Sequence, residues 1–388
     1  MDDRLNLTSA LRRTSTFGLA IAAACTSALG LAQWESAALG PLKDLEALGA
    51  QTLVALSERT PEPALLAKRR GELLPGSDYR TLEALRGGQT ALTGVYDPAI
   101  DASLVRLREL EQRFDAPFQL VSLYVGFSHG RAGEFPAKRA NAIWEAGSVP
   151  VLTWEPWVTA LSRSAPADGR DSLHDIARGH YDAYIDEFAR DVASFGQPIF
   201  LRFAHEMNDP SRYPWGPQVG NRPEHFIQAF RHVRARFELA GAKQVLWIYS
   251  PSIAYPGIDT YYPGADVVDW CASAVLNYGT AARFSQFWSF RELLAPRYHE
   301  LARLGHPVML AEVSSTRSGG DASAWYSAAS ASLSDFPSVR ALVIFNVAKD
   351  ATLGDRIVDF GTDHVATATG AGSMLAAFAR AERRHAWR

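Results

Sequence analysis

The chain has 388 residues, 47% of them hydrophobic and 21% charged, with a formal net charge of -3. That balance argues against nucleic acid as the main partner, because phosphate binding draws on a concentrated basic surface. The two cysteines, Cys25 and Cys271, exclude a disulfide framework once Cys25 leaves with a leader, and Cys271 then reads as a buried thiol.

The N-terminus reads as an address. Arg12-Arg13 precede the short apolar run Phe17 to Ala24, and Gly30-Leu31-Ala32 offer small residues before Gln33. This is the order of a secretory signal. Residues 1–32 are therefore read as a signal peptide, and the protein as exported to the periplasm or beyond. A lipidated Cys25, a twin-arginine route and a buried N-terminal helix stay open. The apolar run is too short for a comfortable membrane span, and no other stretch offers one. Residues 33–88 are rich in Ala, Leu and charge, with breaks at Pro61, Pro63 and Pro75. They read as a helical lead-in without chemistry.

From residue 89 to 388, strands and helices alternate. Strands are predicted at Leu92–Tyr96, Gln119–Val125, Val149–Trp154 and Pro198–Phe203. Four more follow at Val245–Tyr249, within Val267–Leu276, at Pro307–Ala311 and at Val339–Phe345. Helical spacing falls near Ala102–Phe114, Ala137–Ala146, His174–Ala193, Pro223–Leu239, Arg291–Leu304, Ala322–Leu333 and Met374–Arg383. Near-continuous apolar strands between amphipathic helices imply a buried parallel sheet. Eight such units in about 300 residues fit an α/β fold of the (β/α)8 TIM-barrel type as one catalytic domain. An open sheet stays as the alternative.

In such a barrel, chemistry sits where the strands end. The fourth predicted strand runs into Ala204-His205-Glu206-Met207-Asn208, and the seventh into Glu312-Val313-Ser314. The two glutamates thus face one another across the mouth. Paired carboxyl groups suit glycosidic cleavage, one donating a proton to the leaving oxygen and the other attacking or activating water. A structural ion pair with Arg202 or another cation is the competing reading for either one. The segment lacks the second His of a zinc-protease motif, since position 209 is Asp, so no metal is expected. No Gly-rich phosphate loop or serine elbow occurs.

Arg202-Phe203-Ala204-His205-Glu206-Met207-Asn208 is followed by Tyr213-Pro214-Trp215-Gly216. Gly179 to Tyr184 lies upstream, and Trp247 to Pro251, Tyr262-Pro263-Gly264, Val268-Asp269-Trp270 and Pro307 to Glu312 lie downstream. Together they make the chain, from about Leu92 onward, resemble glycoside hydrolase family 26, the clan-A barrels that include β-mannanases. The resemblance implies a retaining double displacement with Glu206 as acid/base and Glu312 as nucleophile, and no cofactor. It implies that His205 contacts the sugar or tunes Glu206, that Arg202 holds the nucleophile's charge, and that Trp154 and Trp215 are stacking platforms. Asn208 and Tyr278 complete the expected sugar-binding set.

Two departures stand out. The family's tyrosine at the end of the sixth strand, which hydrogen-bonds the nucleophile, falls by spacing on Leu276 here, with Tyr278 two residues on. No Trp follows Phe345-Asn346 before the final helix. The first expectation is an endo-acting enzyme on β-1,4-mannan, with no oligomeric state implied. Mixed-linkage β-glucan, β-1,3-xylan and an exopolysaccharide remain alternative substrates. A non-catalytic polysaccharide-binding barrel is the reading from another class.

Overall fold

Eight parallel strands pair in sequence order and close into a barrel in the computed structural model of the chain, which describes residues 79–161, 172–283, 285–351, 357–362 and 370–385. Closure is made by β1 (Leu92–Tyr96) against β8 (Val339–Phe345), from Leu92 opposite Ala341 to Tyr96 opposite Phe345. Between them lie β2 (Leu120–Gly126), β3 (Val149–Glu155), β4 (Ile199–Phe203), β5 (Val245–Tyr249), β6 (Trp270–Asn277) and β7 (Val308–Ser315). The expected leader, and the lead-in as far as residue 78, lie outside the described residues. No helix among the described residues is long and apolar enough to cross a membrane.

The helices are α1 (Leu82–Gly87), α2 (Val105–Phe114), α3 (Ala137–Glu145), α4 (Ser172–Ala177), α5 (Asp182–Phe195), α6 (Pro223–Leu239), α7 (Phe290–Ala302), α8 (Ala322–Ser332) and α9 (Ala371–His385). Their ends follow local chemistry. Pro223 occupies the first turn of α6, where its missing N–H costs nothing. Ser289 and Glu292 form a capping box at the start of α7. The single helix expected over 174–193 is two, because Gly179 adopts a left-handed φ of 85° between α4 and α5.

Alternation along the strands divides the core. Leu120 of β2, Val149 and Val151 of β3, Phe200 of β4, Trp270 and Ala272 of β6 and Met309 of β7 fill the barrel interior. Below them, Tyr79 and Leu85 close the floor, and the Trp270 indole donates to the Leu85 carbonyl at 2.8 Å. The residues between these point outward under the helices, where the larger cluster lies. Cys271 is one of them, a buried free thiol as expected.

Parity decides what reaches the mouth. Tyr124 follows Leu120 and Ser122 inward, Arg202 follows Phe200, and Glu155 follows Val149, Val151 and Thr153. In β7 the count is broken. Leu310 lies opposite Ser273 of β6, yet Glu312 lies opposite the very next residue, Ala274, so β7 carries one extra residue. This bulge turns Glu312 to the inside, where strict alternation from Met309 and Ala311 would leave it outside.

Candidate active site

Glu206 and Glu312 stand at the mouth, 6% and 8% exposed. Each is held by its own arginine. Arg202, only 1% exposed, donates Nη2 to Glu312 Oε1 at 2.6 Å, and its Nε to Thr153 Oγ1 at 2.9 Å. Tyr124 donates its hydroxyl to the same Glu312 oxygen at 2.7 Å and accepts from Arg202 Nη2 at 2.7 Å. The carboxylate, the guanidinium and the phenol thus form a closed triangle. Burial opposes the charge on Arg202, but Tyr124 and Glu312 outweigh it and keep the guanidinium protonated.

Glu206 sits on the turn after β4. Its φ is 53° and that of Ala204 is 46°, both left-handed conformations that cost an L-residue about 1–2 kcal/mol. The Glu206 amide donates to the Ser250 carbonyl at 2.7 Å, which pins the turn to the end of β5. Such strain is maintained only where surrounding contacts over-determine the backbone. Arg212 donates Nη1 to Glu206 Oε2 at 3.1 Å and Nη2 to the Tyr278 hydroxyl at 3.4 Å. Burial pushes the Glu206 carboxyl upward, Arg212 pulls it back, and the charge of Glu312 pushes it up again; the net shift is upward.

A third carboxyl group, which the sequence reading passed over, also faces inward. Glu155 at the end of β3 accepts from the Trp157 indole at 3.1 Å. Burial pushes its pKa up to about 7, against the opposing pull of Trp157 and Arg202. His205 packs edge-on to Tyr124, ring centroids 6.2 Å apart. Its Nε2 lies 3.1 Å from the Tyr213 hydroxyl, and burial together with the two arginines holds its pKa well below the usual histidine value. It is therefore a neutral imidazole at neutral pH.

The remaining expected site residues are placed differently. Trp154 is 0% exposed and points out of the barrel, stacked on Phe188 at 4.3 Å and flanked by Phe127, Phe203 and Phe237. Trp215 is also 0% exposed; it stacks on Tyr213 at 4.6 Å and donates its indole N–H to the His205 carbonyl at 2.7 Å. Both rings are covered by protein, so neither offers a free face to a sugar, and the expectation of two stacking platforms is corrected here. Asn208 spends its amide on the backbone, donating to the carbonyls of Ser252, Tyr255 and Pro256 and accepting from the Ser252 amide. It ties the β5–β6 connection to the Glu206 turn, in place of the sugar contact expected for it. Tyr278 faces the mouth, but its partner is Arg212 and not Glu312. Leu276, as its position suggested, offers the nucleophile candidate no hydrogen bond. Tyr124 of β2 supplies that bond from another wall. Among the described residues, no group of three or more His, Cys, Asp or Glu could hold a metal ion.

One stability result separates the two readings of Trp154. Trp154→Ala should lower the unfolding free energy by about 3–5 kcal/mol, as expected for a large buried ring. Urea unfolding of the purified variant measures it, and a loss under 1 kcal/mol would contradict the core assignment.

The sequence profile of glycosyl hydrolase family 26 matches residues 149–314, from the start of β3 to the β7 residues just past Glu312. Over that stretch the chain is a match to glycosyl hydrolase family 26. The family segment therefore contains both glutamates, Arg202, Arg212 and Tyr278, while Tyr124 precedes it. Endoglucanase H of Acetivibrio thermocellus is 30% identical over 234 residues, covering 58% of this chain and 24% of that protein. The beta-1,3-xylanase TXYA of a Vibrio species is 36% identical over 105 residues, 25% of this chain and 21% of the xylanase. The chain thus spans about a quarter or less of the length of these curated relatives. Among solved structures, a family 26 β-mannanase of Bacteroides ovatus superposes with a TM-score of 0.54 at 16% identity, over 84% of this chain and 94% of that one. A mannanase of Bacillus subtilis gives 0.52 at 15% identity, over 70% and 86%. At these identities the likeness is one of fold.

Proposed function

We propose that this family 26 barrel is a retaining glycoside hydrolase acting on a β-linked polysaccharide, with Glu206 as acid/base and Glu312 as nucleophile. The observation that carries the reading is the contrast between the two carboxyl groups. Glu312 accepts hydrogen bonds from a buried guanidinium and a phenol, which hold one carboxyl oxygen in place for attack on the sugar carbon. Glu206 is enclosed and pushed upward, which favours the protonated form that a general acid requires.

In the first step, a Glu312 oxygen attacks the anomeric carbon, the glycosidic C–O bond breaks, and the departing oxygen takes the Glu206 proton. In the second, Glu206 as carboxylate takes a proton from water, whose oxygen displaces Glu312 from the sugar carbon. Arg212 lies against Glu206 throughout and stabilises its anionic stage. Neutral His205 packs against Tyr124 and Tyr213.

The relatives act, by their names, on glucan, β-1,3-xylan and mannan, so the sugar is open among these. β-1,4-mannan remains the first substrate to try, with an exopolysaccharide after the three. The charged and apolar leader at residues 1–32 supports export of the enzyme toward such a substrate. The test is release of reducing ends from a panel of mannan, mixed-linkage glucan, β-1,3-xylan and exopolysaccharides. Hydrolysis of one of them that is lost in Glu312→Ala supports the reading; binding without cleavage across the panel would favour a non-catalytic barrel.

The phenol of Tyr124 gives a narrower prediction. Tyr124→Phe removes a hydrogen bond to a charged group, worth about 1.5–3 kcal/mol. kcat should fall about 10–100-fold with little change in KM. An unchanged kcat in steady-state assays would remove Tyr124 from the mechanism.

A further inference from the structure

From the mouth, a cavity of about 550 Å³ runs outward between the β5–β6 connection, the end of β6 and helix α7. Glu206, Arg212 and Tyr278 line it, with Tyr255 on one side and Trp288 and Arg297 on the other. Glu312 is not part of its lining. In a double displacement the nucleophile bonds to the sugar that stays, while the acid reaches the oxygen that leaves. A cavity that touches the acid and not the nucleophile therefore lies on the side of the leaving group.

We infer that this cavity receives the leaving-group portion of an uncharged β-glycan, and that Trp288 is its stacking platform. The inference rests on the glycosidase reading above. Trp288 is 36% exposed, in contrast to the buried rings of Trp154 and Trp215. Its placement is nonetheless fixed. Its amide donates to Asn277 Oδ1 at 3.2 Å, and its carbonyl accepts the Trp325 indole N–H at 2.9 Å. Asn277 is itself fully buried and donates to Ser315 Oγ at 2.9 Å, at the end of the strand that carries Glu312. An indole held open by buried partners on both sides of its peptide is suited to the apolar face of a sugar ring.

The charge of the lining selects the sugar class. Each guanidinium in the cavity already has a carboxylate, Arg212 with Glu206 at 3.1 Å and Arg297 with Glu300 at 2.8 Å. A polyuronate would have to compete with both ion pairs; a neutral glycan would not. The cavity also passes Leu293, Pro296 and Arg297 on one face of α7, and its volume of about 550 Å³ exceeds what one sugar ring fills. Cleavage within a chain, and not removal of a terminal sugar, is the corresponding mode.

The experiment compares Trp288→Ala and Trp288→Phe with the intact enzyme on two substrates. One is the polysaccharide that the intact enzyme cleaves best. The other is a glycosyl fluoride carrying the same glycone sugars, whose one-atom leaving group presents nothing for the cavity to hold. For Trp288→Ala, kcat/KM on the polysaccharide should fall about tenfold while the loss on the glycosyl fluoride is far smaller. Trp288→Phe should retain most of the polymer activity. Equal losses on both substrates, or none on the polymer, would overturn the assignment and leave the glycosidase reading standing. If the intact enzyme cleaves no polysaccharide in the panel, both fall.

Discussion

Glu312→Ala is expected to lower kcat/KM by at least ~10⁴-fold, the scale seen when a covalent nucleophile is removed. The variant should also be less stable. Arg202 is 1% exposed and would lose its carboxylate, and an uncompensated buried charge costs about 3–5 kcal/mol. Loss of activity alone would therefore not identify the nucleophile. Chemical rescue does. Azide added to the variant should attack the anomeric carbon from the vacated side while Glu206 protonates the leaving oxygen. The product is a glycosyl azide whose anomeric configuration is opposite to that of the substrate. Glu312→Gln, which keeps a partner for Arg202, should recover part of the stability without the activity. Wild-type turnover in a folded Glu312→Ala enzyme would end the mechanism proposed above.

The second large effect is in the pH profile. Glu206 has its pKa raised above the ordinary carboxylate value by burial, and the acid step needs its protonated form. Activity should thus fall as pH rises through that pKa. Glu206→Gln should lose about 10²–10⁴-fold on polysaccharides and lose this alkaline limb, while activated aryl glycosides, which need no proton, lose far less in the first step. Arg212 acts in the opposite direction. It pulls the Glu206 pKa down, so Arg212→Ala should move the limb to higher pH. Glu155 is the control, because its pKa is pushed up to about 7 and it titrates in the same range. If Glu155→Gln shifts the limb and Glu206→Gln does not, the acid assignment is wrong. Rate–pH profiles of the three variants on one substrate decide it.

Much of this architecture was legible in the residues. The apolar runs mark β1, β5 and β8 at the bounds the barrel gives them, because strands buried on both faces leave little polar interruption. Closure was not legible, since no local pattern says that Leu92 pairs with Ala341. Glu206 and Glu312 were singled out by their strand-end positions, although Glu312 turns inward only by a bulge that alternation could not anticipate. Trp154 is the opposite case. Counting from Val149 and Val151 puts Thr153 and Glu155 inside and Trp154 outside, yet its chemical type suggested a sugar platform. Trp215 gave no such warning, because it sits on a turn without periodicity. Tyr124 falls inward by the same count, but its contact with a residue 188 positions away belongs to the closed barrel and to nothing local. Trp288 lies between elements, where exposure is set by the packing of Asn277 and Trp325.

The buried arginine beside Glu312 has a consequence for timing. In the resting enzyme its positive charge and the carboxylate cancel. In the mechanism proposed above, esterifying Glu312 to the sugar would remove the carboxylate charge while Arg202 stays protonated and enclosed. The covalent intermediate would then leave that cation without its carboxylate, and hydrolysis would restore the pair. The contact that readies Glu312 for attack would also shorten the life of what the attack produces.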